Sequence, residues 1–197
     1  MRTDTLFILS GPSGAGEDSI ISGLTAHFPI ERVITTTTRA PRRGETEGNP
    51  YYFVSSASFR ESIAQKKFAE YAEEYNGNCY GVTTAELNRA TSSGKIGIWK
   101  IEYNGVIAAK KLFPSIVAIF IMAPSLSILE QRIRRRDAVS ETYVRERMDY
   151  TKKWLTHTAI YDHTVINHEG KLEKAVAQTA AIIRSHLPSS FHPSYNS

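Results

Sequence analysis

A glycine-rich loop near the start of the chain constrains the fold more than any other feature. The apolar run Leu6–Leu9 is followed by Gly11, Gly14 and Gly16, and then by a helix-like segment that runs from Ser19 to Phe28. This spacing is that of a phosphate-binding loop, G-x-x-x-x-G-K-[ST], in a strand–loop–helix unit. Glycines at these positions let successive backbone N–H groups face a phosphate beside a helix N-terminus. The pattern therefore predicts a phosphate-binding strand–loop–helix unit.

The charged positions of this motif are altered. Glu17 stands where the motif has lysine, and Asp18 stands where it has serine or threonine. Two carboxylates thus occupy positions that face a phosphate anion in the usual motif. Either the loop has lost its function, or another part of the chain supplies the cation.

The composition limits the class of protein. The 197 residues suffice for one compact domain, and 41% hydrophobic with 22% charged residues is ordinary for a globular chain. The net charge of +4 suits an anionic ligand but does not by itself indicate nucleic acid. The single cysteine, Cys79, excludes an internal disulfide. No signal peptide and no apolar run of ~20 residues is visible, so we expect a cytoplasmic protein without nucleic acid or membrane partners.

Strand-like runs alternate with helix-like segments along the chain. We predict strands at Leu6–Leu9, Val33–Thr36, Tyr51–Val54, Ile96–Ile101, Ile116–Met122 and Thr164–Ile166. We predict helices at Ser19–Phe28, Ser56–Gln65, Thr84–Ser92, Val106–Leu112, Ser125–Arg135, Ser140–Thr156 and Leu172–His186. This alternation favours an α/β fold in which helices flank a parallel sheet.

No linker divides the chain, so we expect a single domain over residues 1–187. Its core would comprise residues 1–34 and 96–187, with an acceptor-binding insertion at residues 35–95 and an arginine-rich lid at about residues 132–147. Residues 188–197 are rich in proline and serine and are predicted to form a flexible tail.

The start of the insertion has an informative pattern, T-T-T-R-A-P-R-x-G-E-x-x-G-x-x-Y-x-F, which ends at Phe53. Its arginines, hydroxyls and tyrosines can bind a phosphate monoester, although a solvated loop before a hairpin would have a similar composition. The full pattern resembles the GMP-binding segment of guanylate kinases. The resemblance continues over about residues 5–187, through Phe68–Glu70, Gly77–Gly81, Ala123–Ser125 and Tyr161–Asn167.

The resemblance implies a P-loop NTPase fold and transfer of a phosphoryl group from ATP, with Mg²⁺, to GMP. The positions that match the family's GMP site are Thr35, Arg39, Arg42, Tyr51, Glu70, Tyr80 and Glu102. Thr35 and Glu70 would read the guanine, whereas Arg39, Arg42, Tyr51 and Tyr80 would bind the phosphate. A carboxylate at Glu70 is chemically sensible because it accepts from guanine N1–H and N2–H₂, donors that adenine does not present in this arrangement.

On the donor side, the resemblance implies ATP-phosphate contacts from Gly11, Ser13, Gly14, Ala15, Gly16, Asp18 and Ser19, with Asp18 or Ser19 as the residue that contacts Mg²⁺. Phosphoryl transfer needs positive charge around the transferred group, which a closing lid often supplies. The lid positions that match are Arg132, Arg136 and Arg147. Asn167 matches a position near the adenine, although a turn residue after a strand is equally compatible with the sequence.

Lys100 is the second unusual position. Guanylate kinases have h-h-h-h-D-I-D-x-Q-G in this region, where the first aspartate is the Walker B acid; here that residue is Lys100 and the second acid is Glu102. The two motifs meet at one phosphate–Mg²⁺ centre. The lysine missing at 17 therefore reappears at 100, and the acid missing at 100 reappears as Glu17. We predict a functional charge exchange in which Lys100 approaches the phosphates and Glu17 pairs with it or helps to organise Mg²⁺; the alternative is a chance pair of substitutions in an inactive site.

Three functions remain open at this point. The first is a guanylate kinase with ATP and GMP as its partners, acting as a monomer or homodimer. The second is a guanylate-kinase-like binding module without catalysis, which the retained lid arginines disfavour. The third is a ribose 1,5-bisphosphate phosphokinase, which the loop ending G-x-D-S and the run Tyr80–Val82 resemble, although those relatives lack the complete segment that ends at Phe53.

Overall fold

The computed structural model describes residues 3–42, 44–73, 77–136 and 139–191, and of Arg136 it describes the backbone alone. The strands are β1 (Leu6–Ser10), β2 (Ile30–Val33), β3 (Thr35–Thr37), β4 (Thr46–Glu47), β5 (Pro50–Phe53), β6 (Phe68–Glu73), β7 (Cys79–Thr83), β8 (Ile96–Lys100), β9 (Val117–Met122) and β10 (His163–Ile166). The helices are α1 (Glu17–Leu24), α2 (Ser56–Ala64), α3 (Thr84–Thr91), α4 (Tyr103–Leu112), α5 (Leu126–Arg136), α6 (Glu141–Leu155) and α7 (Leu172–His186).

The central sheet has five parallel strands in the order β10-β9-β1-β8-β2. β1 is buried along its whole length between β8 and β9, and Leu9 lies opposite Lys100 of β8. The carboxyl ends of parallel strands meet at one edge of a sheet, where ligands bind in open α/β folds. The loop after β1 and the end of β8 therefore open at the same edge.

Helices cover both faces of this sheet, as the alternating pattern predicts. Side chains along β1 alternate between the faces, so Phe7 and Leu9 pack with α1, α5, α6 and α7. Leu6 and Ile8 pack on the opposite side with α3 and α4. The predicted α/β fold with a parallel sheet flanked by helices is confirmed.

A second sheet, in the order β4-β5-β3-β7-β6, is built from the segment between β2 and α3. β7 is antiparallel to both β3 and β6, whereas β5 is parallel to β3 and β4. The predicted strand Val33–Thr36 is in fact two strands, because the chain leaves the central sheet at Ile34 and enters the second sheet as β3. β6 and β7 were not predicted, since alanine, glutamate and glycine within them have low β propensity.

The helix predictions differ from the structure mainly at the ends. The helix Leu172–His186 has the predicted bounds, but α1 begins earlier and ends earlier than the predicted Ser19–Phe28, and α4 begins three residues before Val106. Among the described helices, none has the length and apolar character needed to cross a membrane. The predicted lid spans the end of α5 and the start of α6, with residues 137–138 outside the described part. Most of the predicted tail, residues 192–197, also lies outside it.

Candidate active site

A cleft of about 220 Å³ is lined by residues from the central sheet, the second sheet and α6. It brings together most of the predicted site residues, namely Gly11, Ser13, Gly14, Glu17, Asp18, Thr35, Arg39, Arg42, Tyr51, Glu70, Tyr80, Lys100, Glu102 and Arg147. The predicted residues Ala15, Gly16, Ser19, Arg132 and Asn167 do not line it, and the side chain of Arg136 lies outside the described part.

The loop after β1 has the curled backbone of a phosphate-binding loop. Gly14 and Gly16 have φ angles of 88° and 97°, which side-chain-bearing residues rarely adopt. A Cβ atom on Gly16 would lie 2.4 Å from the Nδ2 atom of Asn167. Gly16 also precedes α1 without a side-chain cap, so first-turn N–H groups of α1 are left to other acceptors. The loop thus retains a backbone cradle for an anion.

Two predicted nucleotide-binding residues, Asn167 and Arg132, donate hydrogen bonds to the backbone of this loop. Asn167 donates from Nδ2 to the backbone oxygen of Ala15 at 2.9 Å. Arg132 donates to the backbone oxygens of Gly14, at 3.3 Å, and Asn167, at 2.8 Å, and it also pairs with Glu169. Arg132 was predicted to face the nucleotide phosphates, but in this structure its guanidinium contacts the backbone of the loop. The adenine-side contact of Asn167 stays a prediction.

Lys100 reaches the loop, but its ion-pair partner differs from the predicted one. Its Nζ atom donates to Oδ2 of Asp18 at 2.6 Å, whereas Glu17 lies beyond the 4.0 Å limit of an ion pair with Lys100. The other carboxylate oxygen of Asp18, Oδ1, accepts from Nη2 of Arg32 at 2.7 Å. The predicted Glu17–Lys100 pair is therefore corrected to an Asp18–Lys100 pair. Arg32 was missed in the sequence, where it belongs to no motif and directly precedes the predicted strand Val33–Thr36.

The carboxyl group of Glu17 turns toward the loop. Burial raises its pKa to about 7, although Lys100 and the backbone N–H groups of Glu17 and Gly16 favour the charged form. The backbone N–H groups that favour the charged form of Glu17 are donors that a bound phosphate would also use. Glu17 would therefore either compete with a bound phosphate for these N–H donors or lie beside that phosphate.

Asp18 and Lys100 are both charged at neutral pH. Burial alone would raise the pKa of Asp18, but Lys100 and Arg32 together hold it at about 2. Burial likewise opposes the charge on Lys100, yet Tyr51 and the carboxylates of Glu17 and Asp18 together raise its pKa. The loop thus holds a fixed ammonium group, which a lysine at position 17 provides in the usual motif.

Glu70 is the most unusual group on the second sheet. It lies on β6, is 8% exposed, and its pKa is raised to about 7 by burial. Within the described ranges, no hydrogen bond or ion pair engages its carboxyl group, and Thr35 lies in the same cleft with 6% of its surface exposed. Burying a carboxylate without a partner costs free energy, which a ligand with N–H donors would offset.

Arg39 contacts other residues of the segment that was predicted to bind the acceptor phosphate. Its guanidinium pairs with Glu45 at 2.9 Å and lies over the ring of Tyr51, 5.2 Å from the centroid. Burial opposes its charge, but Glu45 holds its pKa above the ordinary value. The rings of Tyr51 and Tyr80 meet edge to face at 6.1 Å. Glu45 belongs to the matched segment but was given no role from the sequence; the structure shows that it orients Arg39.

A hydrogen bond across the cleft joins α6 to the segment between β8 and α4. The hydroxyl of Tyr150 donates to Oε2 of Glu102, whereas the guanidinium of Arg147 lies over the ring of Tyr143 within α6, 5.3 Å from the centroid. Glu102 is therefore engaged by a tyrosine in this structure. Arg147 and Tyr150 of α6 line the same cleft as the loop after β1.

Comparisons with known proteins agree with this architecture. The guanylate kinase family model matches residues 3–186. The guanylate kinase of Methylococcus capsulatus is 35% identical over 186 residues, which cover 94% of this chain and 90% of that protein. The guanylate kinase of Haemophilus influenzae is 37% identical over 188 residues, covering 94% and 89%. A crystal structure of guanylate kinase from Anaplasma phagocytophilum superposes with a TM-score of 0.73 at 26% identity, over 94% of this chain and 87% of the other. This chain belongs to the guanylate kinase family.

Proposed function

We propose that this protein transfers the γ-phosphoryl group of ATP to GMP, forming ADP and GDP, and that Lys100 supplies the cation that its phosphate-binding loop lacks. The observation that carries the proposal is the position of the Lys100 ammonium, 2.6 Å from Asp18 at the start of α1. Without such a cation, the carboxylates of Glu17 and Asp18 would face an anion with Arg32 alone to offset them among the described residues. With it, the loop combines backbone N–H donors and a fixed positive charge, which is what a triphosphate requires.

The donor site is formed by the loop after β1 and by Lys100. Backbone N–H groups of Gly14 to Asp18 would face the β-phosphate, and Lys100 would approach the β- and γ-phosphate oxygens from the end of β8. Protein kinases also place a strand lysine against the phosphates below a glycine-rich loop, so the arrangement is chemically workable. Glu17 would move away from the loop N–H groups, or be protonated, when a phosphate binds there.

The oxygen donors at this site suit Mg²⁺, which in kinases takes one or two protein ligands and completes its shell with water and phosphate. Both oxygens of Asp18 are engaged, by Arg32 and by Lys100. Within the described part of the chain, no contact engages the hydroxyl of Ser19, which is exposed near the loop. Of the two predicted ligands, Ser19 is therefore the better supported. Bound Mg²⁺ would offset negative charge on the ATP phosphates.

The acceptor site is formed by the second sheet. The carboxylate of Glu70 would accept from N1–H and N2–H₂ of guanine, and Thr35 lines the same cleft from β3. Arg39 and Arg42, with the hydroxyls of Tyr51 and Tyr80, would bind the GMP phosphate, since arginine and tyrosine donors suit a dianion. This assignment gives the buried carboxylate of Glu70 the partners that it lacks among the described residues.

Transfer itself requires positioning and charge stabilisation rather than a covalent intermediate. Lys100 would stabilise charge on the donor side, and Arg147 lies across the cleft on α6. Arg132 would keep the loop in place, and Arg136 is proposed to join from the lid. Closure of the lid would exclude water and bring these cations toward the transferred group.

Glu70 favours a guanine acceptor over the alternatives. A ribose bisphosphate has hydroxyl donors but lacks the paired N–H donors of guanine, and it would bring two phosphate groups to a site with a buried carboxylate. A binding module without catalysis has no requirement for a cation at the phosphate-binding loop. Both alternatives therefore leave observed features unexplained.

A coupled assay with MgATP tests the proposal against a panel of acceptors: GMP, AMP and ribose 1,5-bisphosphate. The expected result is ADP formation with GMP and little with AMP, because AMP does not present the donors that Glu70 requires. Turnover with ribose 1,5-bisphosphate but not with GMP would support the phosphokinase. Binding of GMP without turnover of any acceptor would support the binding module.

A further inference from the structure

The exchange between Glu17 and Lys100 leaves one charge of the altered loop without compensation. A lysine at 17 with an aspartate at 100 has the same net charge as Glu17 with Lys100. Asp18, however, replaces a neutral hydroxyl and adds a negative charge beside the phosphate site. A triphosphate would be repelled by that carboxylate unless a further cation is placed against it.

Arg32 is the cation that contacts this extra carboxylate. It lies on β2, which pairs with β8 in parallel so that Arg32 is opposite Ile98, two residues before Lys100. Its Nη2 atom donates to Oδ1 of Asp18 at 2.7 Å, while Lys100 donates to Oδ2 at 2.6 Å. Asp18 is therefore held between cations from two neighbouring strands.

We propose that Arg32 is a positioning residue of the phosphate site, which fixes Asp18 against Lys100 and offsets the charge that Asp18 adds. The proposal rests on the donor site described under the proposed function. Because Asp18 shares its two oxygens between two cations, Lys100 is not fully neutralised and remains available to a phosphate oxygen. The charge exchange then involves four residues, because the cations Lys100 and Arg32 together offset the carboxylates of Glu17 and Asp18.

The competing interpretation is an ordinary surface ion pair. The side chains of Arg32 and Asp18 are 39% and 52% exposed, and exposed pairs contribute little to stability on average. If Arg32 and Asp18 form an ordinary surface pair, removal of the Arg32 charge should leave MgATP binding unchanged. A positioning role predicts an effect on ATP binding that depends on Asp18, and these outcomes differ in measurable quantities.

Direct binding of MgATP, measured by titration calorimetry without GMP, tests the charge of Arg32. We expect Arg32→Gln to weaken MgATP binding about tenfold, equivalent to about 1.4 kcal/mol, and to raise KM for ATP without a similar change in KM for GMP. Arg32→Lys keeps the charge and is expected to recover most of the binding. Lys95→Gln is the control: Lys95 directly precedes β8, at the opposite end of that strand from Lys100, and pairs with Glu31 at 3.6 Å. Equal binding by Arg32→Gln and Lys95→Gln would overturn the proposal, as would an Arg32→Lys variant that is folded but no better than Arg32→Gln.

A double-mutant cycle with Asp18→Asn tests whether Arg32 acts through Asp18. We expect Arg32→Gln to have little further effect on MgATP binding once Asp18 is neutral. An equal loss in both backgrounds would contradict the positioning role even if Arg32 matters. Thermal unfolding of each variant identifies losses that come from misfolding. Because the calorimetric titrations need no GMP, a wild-type protein that binds ATP but does not phosphorylate GMP would contradict the proposed function while the cycle still decides the role of Arg32.

Discussion

The ammonium group of Lys100 lies 2.6 Å from the carboxylate of Asp18, so a cation at the end of β8 reaches the first turn of α1. These residues are 82 positions apart in the chain. The parallel pairing of β1 with β8 brings them together, because both strands end at the same edge of the central sheet. The loop after β1 thus obtains from a neighbouring strand the charge that its own sequence lacks.

Reversal of the exchanged charges predicts energetic coupling. Glu17→Lys alone should lower kcat/KM, because a second ammonium group would lie close to Lys100. Glu17→Lys combined with Lys100→Asp restores the usual arrangement of the two motifs and should recover activity beyond the product of the single effects. The measurement is kcat/KM of the four proteins under the same MgATP and GMP concentrations. Independent effects of the two substitutions would show that the positions do not form one functional unit.

Glu70 predicts a pH dependence of GMP binding. Its pKa is raised to about 7 by burial, and only the carboxylate accepts from both guanine donors. GMP affinity should therefore rise as the pH increases through about 7 and level off above it. Glu70→Gln should weaken GMP binding by about 10- to 100-fold, the scale of hydrogen bonds to a charged group, and should remove this pH dependence. Isothermal titration of GMP from pH 5.5 to 8.5 checks both effects, and an unchanged pH profile in the variant would contradict the assignment.

The same residue predicts how stability changes with pH. The folded-state pKa of Glu70 lies above the ordinary value of 4.5, so the folded state binds the proton more tightly than the unfolded state. Its contribution to stability is full below about pH 4.5 and is lost as the pH rises through about 7. Glu70→Gln should therefore be more stable relative to wild type at pH 8 than at pH 5. Urea unfolding at these two pH values provides the comparison, and a difference of opposite sign would exclude this linkage.

The backbone geometry at position 16 predicts that the loop requires glycine there. Gly16→Ala adds a Cβ atom 2.4 Å from Nδ2 of Asn167 at a φ angle of 97°. It should disturb the Asn167–Ala15 hydrogen bond and weaken ATP binding. Gly170→Ala is the control, because Gly170 also has a positive φ, of 65°, but a Cβ atom there would have no neighbour within 4 Å. Equal ATP binding by the two variants would mean that the contact between Gly16 and Asn167 does not support the phosphate site.

The strand–loop–helix unit and the parallel sheet could be predicted because their signals are local. The glycine spacing of the loop, the apolar runs and the helical periodicity of Leu172–His186 lie within short segments, and this helix has the predicted bounds. β6 and β7 could not be predicted in this way. Their stability comes from pairing with each other and with β3, which a local pattern does not encode.

The partner of Lys100 could not be derived from the motif positions alone. Glu17 and Asp18 are adjacent on α1, and neighbouring side chains on a helix point about 100° apart. The orientation of α1 directs Asp18 toward β8 and β2, whereas Glu17 faces the loop. Arg32 was missed for the same reason: its contact with Asp18 depends on how β2 lies beside β8.

The most direct test of the central claim is the rate of GDP formation from MgATP and GMP by wild-type protein and by Lys100→Ala. We expect wild-type turnover, and a loss in Lys100→Ala of about 100- to 1000-fold in kcat, the effect of removing one preorganised stabilising group. Lys111→Ala, which removes an exposed lysine of α4, is the control and should retain wild-type activity. Turnover by Lys100→Ala at the wild-type rate, or its absence in the folded wild-type protein, would contradict the claim that Lys100 serves as the cation of the phosphate site.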